Sequence, residues 1–210
     1  MDLGVAVLVA MGTIAGLVVL QAVLSARHWD RVISDGDVDA LTQALDEALE
    51  DWRTRRPPKG TPPADWQALQ SAMLIAADRD RCRVSLLAST DVRVVNNERQ
   101  DFGDVIVVAR RAAVSMTERL LYEIPHVRFD EVQIDVYSQT PIEGSDGSCV
   151  LTTRVAREIA YASEWDNDSP EQILSEWETA EANDGTIDPE EHALIAAEAP
   201  GEVLSPGETV

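Results

Sequence analysis

From Leu3 to Ala26 the chain carries no charged side chain, and Thr13, Gln21 and Ser25 are its only polar ones. A run of this kind dictates its surroundings before it dictates a fold. A helix rises about 1.5 Å per residue, so ~20 residues cross a hydrocarbon core about 30 Å thick. The expectation is a transmembrane helix over Leu3–Ser25, with the lipid bilayer as the chain's first partner. A cleaved signal peptide wants a basic region ahead of a shorter apolar stretch. Here the one charged side chain before the run is Asp2. Arg27, His28 and Arg31 follow the span and no Lys or Arg precedes it, which by the positive-inside rule gives a single-pass protein of the cell membrane, N-out, with its C-terminal domain cytoplasmic. A reducing cytosol suits two unpaired thiols, Cys82 and Cys149. Gly12 and Gly16 have the small-xxx-small spacing that lets helix backbones approach in lipid, a candidate homodimer seam.

Charge narrows the remaining partners. The net charge is -21, and residues 163–210 hold fourteen acidic side chains with no Lys or Arg. Nucleic-acid binding draws its affinity from a basic surface that displaces counterions, so nucleic acid is excluded. Two cysteines are too few for a cysteine-based zinc or iron–sulfur site within one chain, and no cofactor is implied.

Periodicity divides the soluble part. Asp37 is a good N-cap, and Val38, Leu41, Leu45, Ala48 and Trp52 recur at 3-4-3-4 spacing, so 37–52 is expected to be a juxtamembrane helix with a short coiled-coil seam, a second contribution to a homodimer. Residues 53–63 contain Arg53, Arg55, Arg56, Lys59 and four prolines, and read as a basic, stiff linker. Beyond it a module over 64–162 is expected. Trp66, Leu69, Met73, Leu74 and Ala77 have helical spacing, while Cys82–Ala88 and Val92–Val94 alternate as two strands. Val105, Val108, Ala109, Ala112, Met116 and Leu120 form one stripe of a helix spanning Asp101–Glu123. Val132–Val136 and Cys149–Val155 alternate on either side of Gly144-Ser145-Asp146-Gly147, an antiparallel hairpin. The sum is an α+β fold, a small antiparallel sheet packed with helices.

The tail, 163–210, is expected to be an appendage. Ser169-Pro170-Glu171-Gln172 and Asp188-Pro189-Glu190-Glu191 each follow the grammar of N-cap, proline, then Glu or Gln at N3, so two short helices are expected, and the end from Glu198 reads as disordered.

Candidate chemistry is sparse. No HExxH, phosphate loop or Gly-x-Ser-x-Gly elbow occurs. Cys149 and His126 are the one thiol–imidazole pair worth weighing for a thiol or hydrolytic enzyme, although Cys149 stands in register with Leu151 and Val155 as a core residue. Asp35, Asp37 and Asp39 have the spacing of the first calcium ligands of an EF-hand loop, but Ala40 stands where the loop needs glycine. Asp184-Gly185-Thr186-Ile187-Asp188-Pro189-Glu190-Glu191 resembles the second half of such a loop, with Ala180 and Ala182 at ligand positions that cannot coordinate. No catalytic, cofactor or metal residue is therefore assigned. The expected function is non-enzymatic: a membrane-anchored cytoplasmic module that recruits or assembles a protein partner. A cation-responsive switch in the acidic tail is the alternative reading.

Overall fold

The computed structural model describes residues 38–95, 98–139, 148–165, 167–182 and 187–197. The expected span Leu3–Ser25, with Gly12 and Gly16, lies outside them, as do Asp35, Asp37, Asp184 and the end from Glu198. Among the described residues no helix is long and apolar enough to cross a membrane.

The fold is α+β with a mixed sheet. In chain order it comprises α1 (Val38–Thr54), α2 (Pro63–Gln70), β1 (Met73–Ala77), β2 (Arg81–Ala88), β3 (Asp91–Val95), β4 (Glu98–Gly103) and α3 (Val105–Tyr122). After these come β5 (Glu131–Ser138), β6 (Cys149–Ala156), α4 (Arg157–Ala160), α5 (Pro170–Ser175) and β7 (Glu178–Glu181). Five strands lie in the order β1-β2-β5-β6-β7, and β3 and β4 form a separate two-stranded ribbon. The expected sheet was wholly antiparallel. Its centre is instead parallel, β2 against β5 in unbroken register from Arg81↔Glu131 to Ala88↔Ser138. The reason is topological: the second strand of the expected first hairpin, β3, pairs with β4 and leaves the sheet, so α3 carries the chain back to lay β5 beside β2.

Alternation gives the sheet two unlike faces. On the inner face Cys82, Val84, Leu86, Val132, Ile134 and Val136 are buried in one apolar core with Ala109, Ala112, Met116 and Leu120 of α3. Asp104 caps α3, its carboxylate accepting the Val107 N–H at 3.0 Å. The helix therefore starts at Val105, and Asp101, expected at its beginning, lies within β4 instead.

Three further expectations change. Met73, Leu74 and Ala77 belong to β1, not to the helix of Trp66 and Leu69. Ser71 ends that helix, its hydroxyl donating to Ala68 O at 2.6 Å while accepting the Leu87 N–H at 2.7 Å, which starts the pairing of β1 with β2. The apolar face of α1 is turned into the chain's own core, with Leu41, Leu45, Leu49 and Trp52 at most 3% exposed. Of the expected 38–52 seam, Leu41, Leu45 and Trp52 are thus packed against the chain's own core. This packing also moves the fold's beginning to α1, and the basic linker shrinks to the residues between Thr54 and Pro63.

The tail is the third correction. Ile173, Leu174 and Trp177 are part of the apolar core, and β7 pairs with β6 from Leu151↔Glu181 to Arg154↔Glu178. The capping box of Ser169 and Gln172 forms as expected at α5, whereas Asp188–Glu191 forms a turn and not a helix. The fold therefore runs on past residue 162, because apolar side chains beyond it complete its core.

Replacing a buried leucine by alanine removes apolar contact and leaves a cavity, at a cost of ~2–5 kcal/mol. Leu45→Ala is expected to lower the unfolding free energy from chemical denaturation by that amount, and with it the midpoint, and exposed Gln43→Ala to change stability by less than ~0.5 kcal/mol. Equal midpoints would show that α1 stands apart from the core.

Candidate functional site

The outer face of the sheet carries a polar cluster that is buried as deeply as the core. Arg83 stands on β2, Gln133 and Asp135 on β5 and Thr152 on β6, and alternation points all four away from the helices. Register brings them together: Arg83 faces Gln133, Ser85 faces Asp135, and Asp135 faces Thr152. Arg83 Nε donates to Asp135 Oδ2 at 2.7 Å, with the two side chains 1% and 0% exposed. The other carboxylate oxygen, Oδ1, accepts from Thr152 Oγ1 at 2.7 Å and Gln133 Nε2 at 2.8 Å. Gln133 Nε2 also reaches Thr152 Oγ1 at 3.3 Å. A buried charge is tolerable only when paired and hydrogen-bonded, and Asp135 has three donors.

The cover over this cluster is the segment 187–197. It is tied to the first residue of β6 by the Ile187 N–H, which donates to Cys149 O at 3.3 Å, and then crosses the outer face. Glu190 Oε1 lies 2.8 Å from Arg83 Nη2, and Arg83 Nη1 donates to Ile195 O at 3.0 Å. Arg81 Nη1 donates to Leu194 O at 3.0 Å, and the Leu194 N–H donates to Gln133 Oε1 at 2.6 Å. Three of these contacts hold main-chain groups and one holds a carboxylate. Burial works against the charge of Arg83, yet Glu190 and Asp135 more than offset it and keep the guanidinium pKa above its ordinary value. Glu190 is held below the ordinary carboxylate value of 4.5, chiefly by its hydrogen bond from Arg83.

A register shift between Val136 and Tyr137 places Cys149 opposite Tyr137 and turns Val150 into the core. Cys149 was expected on the core face with Leu151. It is buried but outside the core cluster, with burial first and the Asp135 carboxylate second pushing its pKa up to about 12. Tyr137 is pushed up to about 12 by the same two causes. Cys82, inside the core, is raised further still by burial. Thiols held in the neutral form are poor nucleophiles.

His126 is not near Cys149. It precedes β5 at the Glu131 end, whereas Cys149 pairs with Tyr137 near the other end, ~20 Å of strand away. The two residues of the thiol–imidazole reading are therefore not brought together. His126, at φ 66°, instead lines a groove of about 460 Å3 between α1 and residues 123–126, with Trp52, Glu47 and Ala40 among its walls.

The EF-hand-like fragment is only partly described. Asp188 Oδ1 accepts the Glu190 N–H at 3.0 Å, and Glu190 is engaged by Arg83, so these oxygens serve the turn and the cover. Among the described residues no group of three His, Cys, Asp or Glu side chains is arranged to hold a metal ion. Comparison of the chain with protein-family models, with curated proteins and with solved structures found no match.

The Arg83 cluster had only a faint signal in the sequence. Arg81, Arg83 and Ser85 alternate with apolar residues as the wet face of a half-exposed strand does. Nothing in β2 itself announces the cover a hundred residues away.

Removing one partner of a buried ion pair leaves the other charge unpaired, which costs ~3–5 kcal/mol. Arg83→Met is expected to lose about that much stability in denaturant titration, and Arg83→Met with Asp135→Leu to regain most of it. A double variant as unstable as the single would show that the cluster does more than pair charges. The cover has its own pH dependence. Because Glu190 is depressed in the folded protein, its contribution is complete above pH 4.5 and lost as pH falls through the lowered value. The Leu194 amide should then exchange faster with solvent, relative to the β5 amides, as pH falls through that range after correction for intrinsic exchange. A constant ratio would show that Glu190 does not hold the segment.

Proposed function

We propose that this chain is a single-pass membrane-anchored interaction module that acts without catalysis. In this reading Leu3–Ser25 is the anchor, the N-terminus is outside, and the α+β fold stands in the cytoplasm and binds a protein partner. The observation that carries the reading is the way the outer sheet face holds peptide. Arg81, Arg83 and Gln133 take two carbonyls and one amide of residues 194 and 195, bonds to the main chain that do not depend on the side chains of the segment held. An active site is organised differently, around an activated group open to substrate. The neutral, buried thiols do not supply one. A lateral dimer of the span through Gly12 and Gly16 is compatible with this function and does not depend on α1.

The reading is tested on cells producing the full chain. It should sediment with membranes and resist salt extraction, and protease added outside intact cells should leave residues 61–162 undigested. Material pulled from detergent-solubilised membranes should contain a protein partner that is lost with Arg83→Met. Digestion of the folded region from outside, release into the soluble fraction, or a mature N-terminus near Ala26 would overturn it.

A further inference from the structure

The two faces of the sheet are equally buried and oppositely built. Val84, Leu86, Val132, Ile134 and Val136 on the inner face are 0–1% exposed, and Arg83, Gln133, Asp135 and Thr152 on the outer face are 0–3% exposed. Stability alone does not call for this polarity on a permanently covered face, since well-packed apolar residues often stabilise as much as a buried ion pair. A face that also meets water needs it. The cover itself is lightly attached. No residue of 187–197 is buried, none belongs to the apolar core, and the Glu190 side chain is 49% exposed. Beside it lies a polar cleft of about 360 Å3 lined by Thr152, Arg154, Glu178, Glu191 and His192. The segment can leave while the core stays intact. The face it uncovers keeps the Arg83–Asp135 pair and presents two free Arg83 nitrogens, Arg81 Nη1 and the Gln133 carbonyl oxygen, the other two Arg81 nitrogens being held by Asp78.

On the interaction-module reading above, we infer that this outer face is a peptide-binding site that residues 187–197 occupy in cis, and that its partner is an acidic segment that takes up the same turn and exchanges with them. The occupant defines the ligand. A carboxylate meets Arg83 Nη2, and the residues four and five positions later, Leu194 and Ile195 in the chain's own segment, present carbonyls to Arg81 and Arg83 and an amide to Gln133. Donor geometry sets the preference for a carboxylate, because the Asp135 pair uses Arg83 Nε and leaves Nη2 to meet Glu190 Oε1. The cis segment keeps the site closed until a competing segment is abundant or binds more tightly.

The test uses the full chain in detergent and a fluorescent peptide with the sequence of residues 187–197. Wild-type chain should bind it weakly, because its own segment competes. Glu190→Arg, which weakens the cis segment and leaves Arg83 in place, should bind it at least tenfold more tightly. The same peptide with Gln for its Arg83-facing Glu should bind that variant at least tenfold more weakly. A folded Glu190→Arg chain that binds no peptide, or binds both peptides equally, would overturn the inference. Hydrogen exchange on wild-type chain supplies an independent reading that no variant can spoil: the Leu194 amide should exchange at least a hundredfold faster than those of β5, and equal rates would show a cover that opens only on unfolding. Concentration-dependent dimers of wild-type chain that exchange this segment would identify a second copy as the ligand and overturn assignment to a separate partner. Peptide binding by a chain that fractionates away from membranes would remove the anchor and leave the site, whereas a membrane-bound chain that binds a partner but no peptide would do the reverse.

Discussion

The parallel pairing of β2 with β5 is the contact on which the rest of the molecule hangs. Eight residues of each strand stand opposite one another without a break, although about fifty residues of chain separate them. Parallel strands cannot be joined by a tight turn, so the β3–β4 ribbon and α3 make the crossing, and α3 closes the inner face as it does so. Side chains alternate with a period of two, and a slip of one residue would exchange the faces. Such a slip would carry Arg83 or Asp135 into the apolar side under α3. The ion pair between them therefore fixes register as well as compensating two buried charges, for Arg83 reaches Asp135 where Ser85 stands opposite it.

What was legible in the sequence was whatever a local period could carry. The stripe of α3, the alternation of β5, that of β6 from Leu151 onward and the capping box at Ser169 each appear where their residues place them. Met73-Leu74-Ile75-Ala76-Ala77 was misread because a short unbroken apolar run fits a helix and a buried strand equally, and the hydroxyl of Ser71 decides between them. β7 escaped notice for the opposite reason. Glu178-Thr179-Ala180-Glu181 has no apolar pattern, and its place follows from β6 lying ready to pair. The outer-face cluster was least legible of all, since an arginine in an alternating strand is read as solvated and its cover comes from residues 187–197.

Polar residues at the margins of α3 tie the layers together. Arg110 bonds Glu181 of β7 at 2.6 and 2.8 Å and Glu171 of α5 at 3.0 Å, and Arg111 bonds Asp65 of α2 at 2.8 and 3.0 Å. Arg119 lies 5.6 Å from the ring centre of Trp52 and 5.2 Å from that of Trp66, so one guanidinium bridges α1 and α2 through their aromatic faces. Burial lowers its pKa, with the Glu123 and Glu118 carboxylates opposing that shift only in part. A tryptophan on each helix gives α1 and α2 both an apolar body for the core and a surface on which a cation can rest.

The rims of the sheet are short and irregular. β1 has five residues with a register shift between Leu74 and Ala76, and the Ala72 carbonyl just before it accepts from Arg53 Nη2 at 2.8 Å. β7 has four residues, and its glutamates are turned to Arg154 and Arg110. An open rim is a template on which another strand can add, and brevity, a kink and charge are what spoil the template. Along the rims of this five-stranded sheet, neighbouring copies therefore meet no straight run of backbone on which to stack. Crowded together, they are not expected to join these sheets edge to edge.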